Sequence, residues 1–307
     1  MTRIVVFLLW IVLPPGPLFS AEPLLPLPPP PAVSRDKAAL GERLFHDPRL
    51  SGSGRLSCAS CHRLESGGDD GLPLPSVPTG PYPHNTPTVF NAVFNFRLHW
   101  YGDLHSLQKQ ALVALQRDMQ VDWMRVLKRL RADRLYPRLF KPLYGIIDAD
   151  GIIDALVTFE RTLVTPNAPI DRFLRGETAA LTPRQRQGYR LFKQYGCSAC
   201  HQGANIGGNL YQKLGIFGEY DTRDPGRFAI TGKSEDLRIF RVPSLRNVAV
   251  TAPYFHDGRV ETLEKAVALM AEYQLGTRMS KEDIALIVEF LHSLTGHYRG
   301  RALGDMP

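Results

Sequence analysis

Two short stretches of sequence decide the fold, Cys58-Ala-Ser-Cys61-His62 and Cys197-Ser-Ala-Cys200-His201. Both are Cys-x-x-Cys-His pentads, and together they contain all four cysteines of the chain. In such a pentad the two thiols bond to the vinyl groups of a haem, and the adjacent imidazole becomes a ligand of the iron. The sequence therefore predicts two covalently bound c-type haems, with His62 and His201 as proximal iron ligands.

Cys-x-x-Cys pairs also occur in redox dithiols, zinc sites and disulfides. A redox dithiol has no use for the following histidine, and zinc would need both pentads to converge on one ion. The remaining alternative is one short disulfide in each pentad.

The surroundings of the two pentads repeat. Gly41-Glu-Arg-Leu-Phe45 precedes the first pentad, and Gly188-Tyr-Arg-Leu-Phe192 precedes the second. An apolar series with helical spacing follows each pentad: Ile153, Leu156, Val157, Phe159 and Leu163, then Ile284, Ile287, Val288, Leu291 and Leu294. Ser280 and Thr182-Pro183 are typical helix starts. The pattern predicts a mainly α-helical chain of two tandem cytochrome c-like domains, each around one haem, with long irregular loops.

The predicted organisation has five parts. They are a signal peptide at 1–21, a Pro-rich linker at 22–34, an N-terminal haem domain at 35–166, a C-terminal haem domain at 167–300 and a tail at 301–307. The linker is expected to be an extended spacer outside any core, because prolines dominate it.

Residues 1–21 have the features of a secretory signal. Arg3 precedes an apolar run from Ile4 to Leu13, and Ser20-Ala21 suits signal peptidase. We therefore expect a periplasmic protein with no membrane span after cleavage. The competing interpretation is an uncleaved anchor, although the run is well short of the roughly 20 residues that span a bilayer.

The composition narrows the possible partners. The 307 residues include 37 Lys and Arg against 30 Asp and Glu, a net charge of +7, and 44% of the residues are hydrophobic. These proportions are typical of a globular protein. The basic residues are scattered and form no block of the kind that follows phosphates, so no nucleic-acid binding is expected. We interpret the charge as serving solubility and the docking of a partner.

The position opposite each proximal histidine determines the chemistry of its haem. A methionine sulfur there gives a closed electron-transfer haem, whereas an open position can bind peroxide. Met270 lies between the second pentad and the closing helix, which is the order found in single-domain cytochromes c. We predict that Met270 is an iron ligand; the alternative is a methionine that only fills the core.

The sequence resembles the bacterial di-haem cytochrome c peroxidases, the family that also contains MauG. The resemblance extends from about Leu40 to Gly296. Its most specific parts are the two pentads and the segments GGDDGLP, NTPTVFNAVFN, HWYG, FERTLVTPNAPIDRFLRG, VPSLRNVAVTAPYFHDG and LEKAVALMAEYQLG.

The resemblance implies a role for each haem. The N-terminal haem would reduce H2O2, and the C-terminal haem with Met270 would accept electrons from a small soluble cytochrome c or cupredoxin. Trp100 would lie between the haems. A calcium ion would bind Asn85 and the carbonyls of Thr251 and Pro253, oxygen ligands of the kind calcium accepts. Family members are commonly dimers, which leaves a homodimer open.

The sequence departs from the family at the peroxide site. The loop at 75–83 lacks the histidine that caps the resting iron in the peroxidases. The expected arginine before Asn85 is His84, and the expected glutamate falls at Gln120, with Asp118 or Asp122 as the nearest carboxylates. Proton transfer during O–O cleavage is worth about 10² to 10⁴ in rate, and glutamine cannot provide it. His84 is a candidate for a catalytic or iron-ligating role; alternatively it only packs beside the calcium ligand.

Three functions follow from these observations. The first is a periplasmic di-haem peroxidase that reduces H2O2 to water with electrons from a small redox protein. The second is a MauG-like enzyme that oxidises a protein or another large substrate, although a methionine at 270 in place of tyrosine favours the peroxidases. The third is a non-enzymatic di-haem electron carrier or sensor.

Overall fold

The computed structural model describes residues 22–77 and 80–305. The predicted signal peptide, and the last two residues of the predicted tail, lie outside the described residues. The described chain is mainly helical, which confirms the predicted class. Its helices are α1 (Arg35–Phe45), α2 (Cys58–Cys61), α3 (Leu107–Val113), α4 (Trp123–Arg131), α5 (Tyr136–Tyr144), α6 (Ala149–Glu160), α7 (Pro169–Leu174), α8 (Pro183–Gln194), α9 (Phe228–Thr231), α10 (Leu263–Leu269) and α11 (Lys281–His292).

Strands are few and short, as expected. Strands β1 (Tyr211–Lys213) and β2 (Ile239–Arg241) form one antiparallel pair, and β3 (His297–Tyr298) and β4 (Arg301–Ala302) form another. Two short π-helical turns, Ala114–Asp118 and Met270–Gln274, directly follow α3 and α10.

The N-terminal half is built on the crossing of α1 and α6. The two helices touch at Gly41, where a Cβ atom would overlap the carbonyl oxygen of Ala155. The absence of a side chain lets the backbones approach, so Leu44 and Phe45 pack against Leu156 and the rest of one hydrophobic cluster.

The C-terminal half repeats this crossing with α8 and α11. A Cβ atom at Gly188 would overlap the carbonyl oxygen of Leu286 in the same way. Both predicted helix starts are confirmed, since the Thr182 hydroxyl accepts the N–H of Gln185 and the Ser280 hydroxyl accepts that of Asp283. Most of the two apolar series with helical spacing lies on α6 and α11, where Leu156, Val157 and Phe159 are buried in the first helix and Ile287, Val288 and Leu291 in the second. Leu163 and Leu294 are also buried but follow the ends of these helices.

A buried polar junction joins the two halves. Asn91 and Asn247 both have left-handed backbones, and their N–H groups donate to the carbonyls of Leu163 and Leu294, at 2.8 and 3.1 Å. The two side-chain amides meet at the hydroxyl of Thr165, at 2.8 and 3.0 Å. Because Thr165 is fully buried, these bonds form in a region of low dielectric, where they are strong.

The start of the described chain is part of the core, which corrects the expectation of a free spacer. Leu24 and Leu27 are buried, and Leu24 belongs to the C-terminal cluster. The Leu27 N–H donates to Asp171 at 2.8 Å, and Arg246 donates to the Leu25 carbonyl at 3.1 Å. The proline content predicts an extended backbone, but it does not show that Leu24 and Leu27 pack into the core.

The predicted tail is likewise packed over its first residues. Arg301–Ala302 forms β4, and Leu303 is buried in the N-terminal cluster together with Tyr298. The end of the chain therefore crosses back to the first half. The exact domain boundaries stay a prediction.

None of the helices in the described residues has the length and apolarity required to cross a membrane.

Candidate functional site

One cavity in the C-terminal half is bordered by Cys197, Cys200, His201 and Met270. The structure thus brings together all four residues predicted to hold the second haem. Much of the remaining wall is apolar, with Phe192, Leu245, Val248, Leu263 and Leu291 among its residues. Two thiols, an imidazole and a thioether on an apolar cavity fit a covalently attached haem.

The His201 side chain is in the state that a metal ligand requires. Burial lowers its pKa to about 4, so the imidazole is neutral at physiological pH. The backbone of Ile206 and Pro243 opposes this shift but does not outweigh burial. A neutral, buried imidazole on the cavity wall can bind iron through a ring nitrogen.

The N-terminal pentad is arranged for the same purpose. Cys58–Cys61 forms the short helix α2, and His62 follows it. The His62 Nδ1 lies 3.1 Å from the Gly68 carbonyl, which fixes the tautomer and leaves Nε2 to bind iron. Burial lowers the pKa of His62, against the opposing influence of Asp70 and Asp118.

The alternatives for the cysteines find no support. All four are free thiols, which contradicts the two short disulfides. Across 22–77 and 80–305, no group of three or more His, Cys, Asp or Glu side chains is gathered as a metal cluster, so the pentads do not converge on one zinc ion.

A second repeated segment shows that the residue equivalent to Met270 in the N-terminal half is an alanine. An isolated antiparallel bridge precedes each of α3 and α10, and a hydroxyl caps each helix, Ser106 for α3 and Thr262 for α10. A π-helical turn follows each helix, beginning at Ala114 in one half and at Met270 in the other. Ala114 therefore occupies the position of Met270, and its methyl group cannot bind iron. π-Helical turns are frequent at functional sites.

Asp118 ends the π-helical turn of the N-terminal half. It is close enough to His62 and Cys61 to influence the pKa of both, and Arg117 Nε lies 2.9 Å from its Oδ1. Gln120, two residues further on, is exposed and has a positive φ of 49°. The structure thus brings Asp118 to the N-terminal site.

His84 lies at the contact between the two halves. Its Nε2 is 2.7 Å from Asp224 Oδ2, and its ring packs edge-on against Tyr101 at 4.6 Å. Nothing in the described contacts joins His84 to His62. The predicted catalytic role of His84 stays a prediction, and one of its two ring nitrogens is already used by Asp224.

Trp100 also borders the C-terminal cavity. Its Nε1 donates to the Asn85 carbonyl at 2.9 Å, and its own carbonyl accepts the Arg241 N–H at 2.9 Å. These bonds fix the indole between a segment of the N-terminal half and the wall of the cavity.

The predicted calcium ligands lie on the same cavity wall, where Asn85, Thr251 and Pro253 all border it. The Asn85 N–H donates to the His256 carbonyl at 2.8 Å, which joins the two ligand segments. An amide oxygen and two backbone carbonyls are oxygen ligands of the kind that calcium accepts.

Known proteins resemble the chain over most of its length. The family model described as di-haem cytochrome c peroxidase matches residues 35–179. Cytochrome c551 peroxidase of Nitrosomonas europaea is 40% identical over 290 residues, which cover 92% of this chain and 86% of that protein. The chain belongs to the di-haem cytochrome c peroxidase family.

Other relatives agree with this membership. Cytochrome c peroxidase Ccp of Escherichia coli is 42% identical over 294 residues, covering 92% of this chain but only 63% of that longer protein. Among solved structures, a MauG-like protein associated with microbial copper homeostasis has a TM-score of 0.75 at 28% identity, covering 94% of this chain and 96% of its own. The resemblance drawn from the sequence is therefore confirmed.

Sequence reasoning missed two ionisable residues with buried side-chain atoms, Arg241 and Glu160. Arg241 is buried on the cavity wall, where burial lowers its pKa to about 10 and leaves it positive at neutral pH. Its Nε donates to the His99 carbonyl at 2.9 Å. An arginine here fits an anionic group of a haem, such as a propionate.

Glu160 is the second missed residue. The Gly41 and Gly188 crossings align it with Leu291, which borders the C-terminal cavity. Its Oε2 is buried without a hydrogen-bond partner among the described residues, and burial raises its pKa to about 8. Burial and the nearby Glu160 raise the pKa of Cys58 to about 12, which places the carboxyl beside the first pentad. An alignment of the two halves of the sequence through Gly41 and Gly188 would have identified Glu160 as a candidate, because it pairs Glu160 with Leu291.

Proposed function

We propose that the chain reduces H2O2 to water with electrons from a small soluble cytochrome c or cupredoxin. The observation that carries this proposal is Ala114, which stands where the other half has Met270. One half therefore offers a sulfur ligand opposite its histidine, and the equivalent turn of the other offers none. This asymmetry is what a peroxidase needs, with one closed haem for electron transfer and one open haem for peroxide.

Each haem would be held by its own pentad. Cys58, Cys61 and His62 would attach the N-terminal haem, and Cys197, Cys200, His201 and Met270 would hold the C-terminal one. When bound, the haems supply the iron that reacts with peroxide and the redox centre that receives electrons. Trp100, fixed at the wall of the C-terminal cavity by Asn85 and Arg241, is proposed to lie between them.

Asp118 is the proposed proton carrier of the peroxide site. A carboxylate can take a proton from one peroxide oxygen and return it to the other, which the amide of Gln120 cannot do. The influence of Asp118 on the pKa of His62 supports its nearness to this site. His84 is less suitable, because Asp224 already engages its Nε2.

Calcium is proposed to bind Asn85 and the carbonyls of Thr251 and Pro253. Because Asn85 belongs to the N-terminal half and the other two residues to the C-terminal half, the ion would help to hold the halves together. We further propose a periplasmic location, directed by residues 1–21, and leave a homodimer open.

Peroxide-dependent oxidation of a reduced small cytochrome c tests the proposal. The haem-loaded, calcium-supplemented protein is assayed once from the fully oxidised form and once after reduction by one electron. We expect turnover from both, because the loop at 75–83 has no histidine to cap the iron. If peroxide changes the haem bands without oxidising the cytochrome, a MauG-like reaction with a larger substrate is supported instead; no response at all supports a carrier or sensor.

Two variants of one residue sharpen this test. Ala114→Met should place a sulfur in the open position and abolish peroxide turnover, with conversion of the N-terminal haem to a low-spin form. Ala114→Leu is the matched control, because it has similar bulk but no ligand atom and should leave the haem high-spin. Unchanged turnover and spin state in Ala114→Met would contradict the assignment of the N-terminal haem as the open site.

A further inference from the structure

A tyrosine beside Trp100 is hydrogen-bonded to a shared carboxylate. The Tyr101 hydroxyl donates to Asp224 Oδ1 at 2.8 Å, while His84 Nε2 lies 2.7 Å from Asp224 Oδ2. The Gly226 N–H also donates to Oδ1, at 2.8 Å. Asp224 is buried and Tyr101 and His84 are partly buried, so the three side chains form a fixed network at the contact between the two halves.

This network lies beside the cavity of the C-terminal half. Tyr101 follows Trp100 directly in the chain, and Trp100 borders the cavity. The Tyr101 ring lies 6.1 Å from the ring of Phe240, another residue of the cavity wall. Arg227 fixes the backbone by donating to the Tyr101 carbonyl at 2.7 Å. Because Tyr101 and Trp100 are consecutive residues, Trp100 is the acceptor proposed for an electron that leaves the phenol.

The network also contains an acceptor for the phenolic proton of Tyr101. A phenol that loses an electron becomes a strong acid, so its oxidation is easy only where a base accepts the proton at once. Asp224 is that base, at hydrogen-bond distance. Burial alone would raise the pKa of Asp224, but hydrogen bonds led by the one from His84 outweigh burial and hold the pKa below its usual value, so the carboxylate is ionised at neutral pH.

We propose that Tyr101 is a one-electron donor that refills Trp100 when H2O2 oxidises the protein in the absence of a reduced partner. This inference rests on the proposed reaction with peroxide. In the step, oxidised Trp100 gains one electron and returns to the neutral indole. The O–H bond of Tyr101 breaks, its proton passes to Asp224 Oδ1, and a neutral tyrosyl radical remains, hydrogen-bonded to the protonated carboxyl.

The same chain contains a matched control for this arrangement. The Tyr144 hydroxyl donates to Asp154 Oδ2 at 2.8 Å, and Lys37 Nζ pairs with the same oxygen at 2.7 Å. This is also a tyrosine that donates to an aspartate paired with a basic side chain, but Tyr144 lies at the end of α5, far along the chain from Trp100. The two tyrosines differ in their position relative to Trp100 and in the exposure of the carboxylate, since Asp154 is half-exposed and Asp224 is buried.

Rapid freeze-quench electron paramagnetic resonance tests the proposal. The fully oxidised holoprotein is mixed with H2O2 without a donor, with haem absorption recorded in parallel. We expect a tyrosyl signal that narrows when the tyrosine rings are deuterated, is lost in Tyr101→Phe and persists in Tyr144→Phe. Asp224→Asn should slow the formation of the radical at least severalfold, since the amide is a poor proton acceptor.

Each outcome separates this proposal from the proposed function. A change of the haem bands with the same tyrosyl signal in Tyr101→Phe would overturn the role of Tyr101 while leaving peroxide chemistry intact. Loss of the signal in Tyr144→Phe would overturn it as well. If peroxide leaves the haem bands unchanged, the proposed function fails and this inference fails with it. Normal haem spectra of both variants before mixing show that they are folded and loaded.

Discussion

At the scale of single residues, the difference between the halves that bears most on function is at the start of the π-helical turns, where one half has Ala114 and the other has Met270. The pentads, their histidines and Met270 follow from sequence motifs, because covalent haem attachment requires fixed spacing. Ala114 could not be found by a motif, since its meaning lies in its equivalence to Met270. Arg241 and Glu160 were not predicted for a related reason, because only the packing shows that an ionisable side chain is buried.

Asp118 provides the first test at this scale. Asp118→Asn should lower kcat for H2O2 reduction by about 10² to 10⁴, because the amide cannot carry a proton. Gln120→Ala should change it little, since Gln120 is exposed and performs no proton transfer. Steady-state turnover of the two variants makes the comparison. A wild-type rate in Asp118→Asn would remove Asp118 from the mechanism.

Glu160 provides a test of stability against pH. Its pKa is raised from 4.5 to about 8 in the folded protein, so the folded state binds more protons than the unfolded state between these values. This group's contribution to stability is fully present below pH 4.5 and is lost as the pH rises to about 8, on the order of a few kcal/mol.

We therefore expect a smaller loss of stability between pH 5 and pH 8 in Glu160→Gln than in the wild-type protein. Urea unfolding of both holoproteins at several pH values measures this difference. Parallel pH curves for the two proteins would show that Glu160 is ionised, or solvated, in the folded state.

At the scale of elements, the sequence predicts the helices that have ordinary signals. The closing helices α6 and α11 follow from apolar spacing, and Thr182 and Ser280 act as caps. The π-helical turns at Ala114 and Met270 have no such signal in the sequence. The buried Leu24 and Leu27 were missed because proline dominates their segment.

The prediction at this scale concerns the two helix crossings, at Gly41 and Gly188. An alanine normally stabilises a helix by about 0.5–1 kcal/mol relative to glycine. Gly41→Ala and Gly188→Ala should instead destabilise the protein by about 1–3 kcal/mol or more, because the new methyl group overlaps a carbonyl oxygen of the crossing helix.

Ala39→Gly is the control for helix propensity, since Ala39 is exposed on α1. Thermal or urea unfolding should show this variant destabilised only by the propensity difference. A stabilising effect of alanine at Gly41 would mean that the helices do not approach as closely as the structure shows.

At the scale of the whole molecule, each end of the described chain packs against the half that is farther from it in sequence. The repeated pentads predict the tandem arrangement, but they do not predict this packing of the ends. Leu24 packs in the C-terminal cluster and Leu303 in the N-terminal one. Arg246 and Asp171, a buried ion pair at 2.7 Å, hold the first of these segments.

This ion pair provides the prediction for the whole molecule. Asp171→Asn should destabilise the protein by about 3–5 kcal/mol, because it leaves the charge of Arg246 buried without its counter-ion. Glu177→Gln, which breaks the exposed pair with Arg172, should have little effect. Denaturant unfolding compares the two, and equal effects would contradict a structural role for the buried pair.

The central claim is that the two halves hold unlike haems, one closed by Met270 and one left open at Ala114. Electron paramagnetic resonance of the fully oxidised, haem-loaded protein tests it most directly. We predict one low-spin and one high-spin ferric haem before any reductant is added. Two low-spin haems in equal amounts would contradict the claim, because a protein ligand would then fill the position that Ala114 leaves open.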